Sequence, residues 1–78
     1  MIAEIIKRSR DWDLIIADNV DYIYAKRIFE HVETKEFAIK LAVNYLMKRH
    51  GEHLIVIQEG DKKEEIYIHG IDKEESLQ

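Results

Sequence analysis

The 78-residue chain contains no cysteine and no proline, and only three glycines. Without cysteine there is no disulfide, no thiolate metal site, no redox pair and no cysteine nucleophile. At this length a single hydrophobic core supplies only about 3–5 kcal/mol, and the commonest covalent staple is missing. Without proline, no helix is broken and no segment is held as a rigid spacer by ring constraint. The longest unbroken apolar runs, such as Leu54 to Ile57, are four residues long, against the roughly 20 that a helix needs to span a bilayer. Glu4 interrupts the apolar start, and Lys7, Arg8 and Arg10 follow it, so no secretory leader is legible. The expectation is a chain in a reducing, cytoplasmic setting, without a membrane partner.

Hydrophobic residues at 46% and charged residues at 36% are a balance that folds, and the length allows one domain, residues 1–78. Sixteen acids face twelve bases, a net charge of −4, which is unfavourable for general attraction to phosphate backbones. The acids are unevenly spread. Asp11, Asp13, Asp18 and Asp21 occur with no intervening base, and Glu59 to Glu75 is again dominated by carboxylates. The bases gather as Lys7–Arg8–Arg10, Lys26–Arg27 and Lys48–Arg49. An ordinary solvated surface explains this pattern, and so does an acidic face that meets a basic partner.

Gly51 follows the basic turn Lys48–Arg49–His50 and suits the left-handed position past a helix end. Gly60, within Glu59–Gly60–Asp61–Lys62, reads as a hairpin turn. Gly70 closes the last apolar run before a polar tail, Asp72 to Gln78, expected to be flexible. Between these marks the spacing predicts one helix from Lys35 to about His50. Thr34 is its cap and Glu36 the anion in its first turn. Glu36, Lys40, Asn44 and Lys48 make a narrow polar stripe. Ile39, Leu41, Val43, Tyr45 and Leu46 spread the apolar arc to roughly 200° at 100° per residue, wider than one sheet face covers. Strands are predicted at Trp12–Ala17, Tyr22–Phe29, His53–Gln58 and Glu65–His69, with Asp18–Asp21 turning the first pair. Residues 1–10 fit a helical turn or a strand. The expected class is α+β: β-β-α-β-β, one helix on a four-stranded, mostly antiparallel sheet, with a short N-terminal extra.

With these elements in place, Thr34-Lys35-Glu36-Phe37-Ala38-Ile39, then Leu54-Ile55-Val56-Ile57, Glu59-Gly60-Asp61 and Glu65-Ile66, resembles a family of small bacterial β-β-α-β-β domains of unknown function. The likeness covers about residues 20–70. The Asp-Gly turn usual in that family stands reversed as Gly60–Asp61, and Tyr22 takes the place of its tryptophan. The resemblance implies a fold and no activity.

Catalytic chemistry finds little footing. The hydroxyl side chains are Ser9, Thr34, Ser76 and the tyrosines; no phosphate-binding loop, dinucleotide fingerprint or nucleophile elbow is present. No carboxylate stands in an apolar context that would raise its pKa. His50 and His53 straddle a helix end, where their directions diverge, so they read as surface residues, and His31 precedes the helix. Asp11 and Asp13 lack the phosphate loop that a magnesium pair serves. No enzyme, metal or cofactor is expected. On a Tyr22–Phe29 strand, Tyr22, Tyr24 and Lys26 share one face, and with Arg27 they form a candidate platform for single-stranded nucleic acid. The neighbouring acids argue against it.

Association with protein accounts for more. Leu14–Ile16 and Leu54–Ile57 are apolar on both sides of the pleat, which, with the wide helix arc, implies a second apolar layer. A homodimer is expected around Ile39, Val43 and Leu46, or around the outer faces of those two strands. Acidic positions Asp18, Asp21, Asp61, Glu64 and Glu65 are the candidate surface for a basic or nucleic-acid-binding protein. In size and charge sign the chain resembles the small phage inhibitors of host DNA-binding or transcription proteins, some of which imitate the phosphates of DNA.

Overall fold

The computed structural model describes residues 1–20 and 23–71. Asp21, the last residue of the predicted hairpin connection, Tyr22, the first of the predicted second strand, and the predicted tail 72–78 lie outside the described residues. Five strands and one helix follow in the order β1 (Ile2–Lys7), β2 (Trp12–Val20), β3 (Ile23–Val32), α1 (Lys35–Leu46), β4 (Glu52–Glu59) and β5 (Lys62–His69). The class is α+β as expected, with one more strand than expected. The N-terminal segment is the middle of the sheet, whose order is β3-β2-β1-β4-β5. β1 pairs antiparallel with β2, setting Ile5 beside Leu14, and parallel with β4, setting Ile5 beside Ile57.

Strand wins over helix in β1 because its residues serve two surfaces with period two. Ala3 and Ile5 are fully buried beneath the helix, while Ile2 and Ile6 take the opposite face. β2 and β3 also outrun their predicted ends. Asp18, Asn19 and Val20 continue the ladder opposite Ala25, Tyr24 and Ile23, so residues chosen as a turn for their composition are strand.

The helix lies on one face only. Ala38, Ala42 and Leu46, spaced four apart, are fully buried; two alanines let the helix axis come close to the sheet, and Leu46 fills the space that remains. Beneath them lie Ala3, Ile5, Leu14, Ile16, Ile55 and Ile57. Thr34 Oγ1 accepts the Phe37 N–H at 3.1 Å, as predicted. The helix stops at Leu46, short of the predicted His50, because another segment takes up the backbone there. Ile71 N–H donates to Arg49 O at 2.9 Å and Gly70 N–H to Gly51 O at 2.8 Å. Gly51 does adopt the left-handed region, φ +91°, but as the hinge into β4. Gly60 at φ +61° and Asp61 at negative φ make a two-residue β4–β5 turn of the type II′ pattern.

His53, expected at the surface, is only 3% exposed. Its ring is held at both nitrogens: Nδ1 lies 3.3 Å from the Met1 nitrogen and Nε2 lies 3.2 Å from Arg49 O. His50 is exposed, with Nδ1 3.2 Å from Ile71 O. The two imidazoles therefore serve separate backbone contacts.

Candidate functional site

The face of the sheet away from α1 is not covered by any described residue, and the register assigns its side chains. In one row across the strands stand Lys26, Ala17, Ile2, Leu54 and Tyr67; in the next, Ile28, Ile15, Glu4, Val56 and Glu65. Tyr67 is 73% exposed, Ile28 57% and Ile2 47%; Ile6, Ile15, Leu54 and Val56 are partly buried by one another. This is a contiguous apolar patch of the sort that marks an interaction surface. Glu4 stands in its middle, between Ile15 and Val56 and flanked along β1 by Ile2 and Ile6. Among the described residues it makes no ion pair. Glu65, which accepts a long 3.5 Å bond from Tyr67 O–H, stands on the far side of Val56. With strands about 4.8 Å apart, the two acids are about 10 Å from each other.

The predicted acidic surface does not form one face. Asp61 is at the β4–β5 turn, and Glu64 and Glu65 follow it on β5 with opposite orientations, opposite Ile57 and Val56 respectively. Asp18 is at the other end of the sheet, three strands away on β2; Asp21 lies outside the described residues. The predicted self-association set divides as well. Leu46 is wholly within the core, so it offers no surface, whereas Ile39 and Val43 are half-buried beside it. Of the predicted nucleic-acid platform, Tyr22 lies outside the described residues and Tyr24 is placed only by its pairing with Asn19. Lys26 is exposed on the open face. Arg27 is on the opposite face, where its Nε donates to Tyr45 O–H oxygen at 3.1 Å.

Two further clusters escaped the sequence reading. Tyr45 is gripped by two guanidiniums, since Arg49 Nη2 also donates to its oxygen at 2.9 Å and the Arg49 and Arg27 centres lie 4.6 and 5.5 Å from the ring centre. The Arg49 hydrogen bond, more than that from Arg27, draws the phenol pKa below its ordinary value. Tyr45 and Arg49 are four apart, a spacing that signals contact on the predicted helix to His50, although α1 itself ends at Leu46; no spacing signals Arg27. The second cluster surrounds a bulge in β3, where the register slips by one residue between Trp12 and Leu14. His31 adopts φ +60° there, a left-handed conformation uncommon for a residue with a β-carbon. Its Nδ1 lies 2.9 Å from Asp11 Oδ2, and Arg8 Nε donates to Asp13 Oδ2 at 2.8 Å. The bond to Asp11 raises the His31 pKa, and the bond from Arg8 holds Asp13 below the usual carboxylate value. Beside the bulge, between β3 and the first turns of α1, opens a groove of about 770 Å³.

No family model, no curated protein and no solved structure matches the chain.

Proposed function

We propose that the chain is a non-catalytic protein-binding module whose working surface is the open face of the sheet. Its partner is a protein that presents lysine or arginine among apolar side chains. The observation that carries this reading is Glu4, a carboxylate that pairs with no cation among the described residues, at the centre of an exposed apolar face. Covering Ile2, Ile28 and Tyr67 gains roughly 25 cal/mol per Å² of apolar surface removed from water. The same cover would strip water from Glu4, which is costly unless a cation meets it. A second copy stacked through the centre of the face by a twofold axis would set one Glu4 against the other, a like-charge contact; a basic partner supplies the missing cation. DNA-binding and transcription proteins, the targets of the acidic inhibitors that the chain resembles in size and charge, are partners of this kind.

Capture from cell lysate on the immobilised chain, treated with nuclease, tests the reading when three baits run in parallel. A specific partner held by the unaltered chain is expected to be lost with Glu4→Arg and with Ile28→Lys, and kept with Glu36→Arg on the outer side of the helix. Equal capture by all baits overturns the open-face reading. So does a dimer, with a mass near twice 9.3 kDa by light scattering, that forms at lower concentration with Glu4→Leu, since a second copy then covers the face.

A further inference from the structure

A different surface carries an inference independent of the open face. The sheet has two outer strands, and they are unlike. β5 shows Lys62, Lys63, Glu64 and Glu65 in succession, all exposed, the mixed charge with which edge strands discourage pairing. β3 exposes Ile28 and Phe29, the latter 38% open to solvent, between the charged pairs Lys26–Arg27 and Glu30–His31, whereas the exposed apolar residue of β5, Tyr67, lies beyond its charged run. Half of the N–H and C=O groups of β3 face away from β2, and no described strand lies beyond them.

Beside this edge is the groove already noted, its walls formed by Phe29 and Val32 from β3 and by Phe37 and Leu41 from α1. It exists because α1 sits above β1 and β2 and leaves a step down to β3. Arg27 reaches across it to Tyr45 on one side, and the chain turns through Thr34 into the helix on the other. Glu30 and Glu33 line the groove together with His31, whose Nε2 lies 4.0 Å from Glu30 Oε2, so two carboxylates face one imidazole. The bulge at His31 ends regular pairing just beyond Phe29, so the usable edge delivers an added strand to the mouth of the groove.

We propose that β3 and this groove bind an extended peptide, added as a sixth strand along the edge. One aromatic or large aliphatic side chain enters between Phe29 and Phe37, and a lysine or arginine next to it meets Glu30 and Glu33. The main chain supplies hydrogen bonds, the groove selects the side chain, and the two carboxylates select the charge.

The probe is a displayed library of linear nine-residue peptides selected on the full chain, followed by a synthetic peptide of the enriched sequence titrated into ¹⁵N-labelled protein. The expected sequences share an aromatic or aliphatic residue beside a basic one. Amides of β3 that face away from β2 are expected to exchange at least tenfold more slowly in the complex. Phe37 is 52% exposed and outside the buried core, and Phe37→Ala is expected to keep the fold and to weaken binding at least tenfold. Glu33→Lys is expected to weaken it severalfold, and Glu4→Arg to leave it unchanged. The proposal fails if no peptide is enriched, if the bound peptide is helical, if protection appears on β5 or the open face, or if Phe37→Ala binds as the unaltered chain does. Loss of binding with Glu4→Arg also overturns it, because the peptide then sits on the open face.

Discussion

Gly70 is glycine because of its neighbours. A β-carbon at this position would fall inside the van der Waals shell of Arg49 O, 3.1 Å from Leu46 O and 2.8 Å from His53 Nε2. Two of those obstacles are backbone at the end of α1, and the third is a buried ring that already uses the same carbonyl. None can step aside without loosening the joint that holds the helix end to the sheet. Gly70→Ala is therefore expected to cost about 1–3 kcal/mol, as overpacking does elsewhere. In a chain of this size that lowers Tm by about 4–8 °C per kcal/mol. Urea unfolding followed by circular dichroism measures it, and a midpoint that does not move shows that the joint is looser than described.

Among the elements, the helix was the most legible and its own limits explain why. Thr34 has a local job, accepting the Phe37 N–H, and local jobs are written in neighbouring residues. Thr34→Ala should accordingly cost about 1 kcal/mol, and Thr34→Asp much less, by the same denaturation measurement; equal loss in both would show that the methyl group, not the cap, matters. The polar stripe Glu36, Lys40, Asn44 and Lys48 is exposed as expected. What was not legible depended on partners distant in the chain. Ile2, Ile5 and Ile6 fit a helical turn as well as a strand until β2 and β4 are placed on either side. The helix end moved because Gly70 and Ile71 take up its backbone. The acids were correctly seen as numerous, but their grouping needed the strand order, which sends Asp18 and Asp61 to opposite ends. In the sequence Glu4 interrupts an apolar run. Its meaning, a carboxylate at the centre of an open face, appears only when β1 becomes the central strand.

At the scale of the molecule, the bulge cluster should add to stability within a pH window on the acid side of neutrality. The His31 pKa is raised by Asp11 above its ordinary 6.5. Its contribution is complete below that value and is lost as pH rises through the raised one. The Asp13 pKa is lowered, chiefly by Arg8, from 3.8. Its contribution is present above that value and is lost as pH falls through the lowered one. Both act together between about pH 4 and 6.5. His31→Asn tolerates the left-handed backbone and should flatten the alkaline limb of a Tm–pH curve while leaving the acid limb in place; an unchanged alkaline limb would remove His31 from the account. The central position of β1 also sets a schedule. As the chain is made, β1, β2 and β3 can pair at once, being neighbours in sequence. One edge of β1 must then wait for β4, whose Leu54 pairs with Ile2 across a separation of 52 residues, and until the helix and β4 arrive, Ala3, Ile5 and Leu14 face water. Closure of that loop should be the slow event of assembly, and a half-built sheet before it would be the form most exposed to sticking to its own kind.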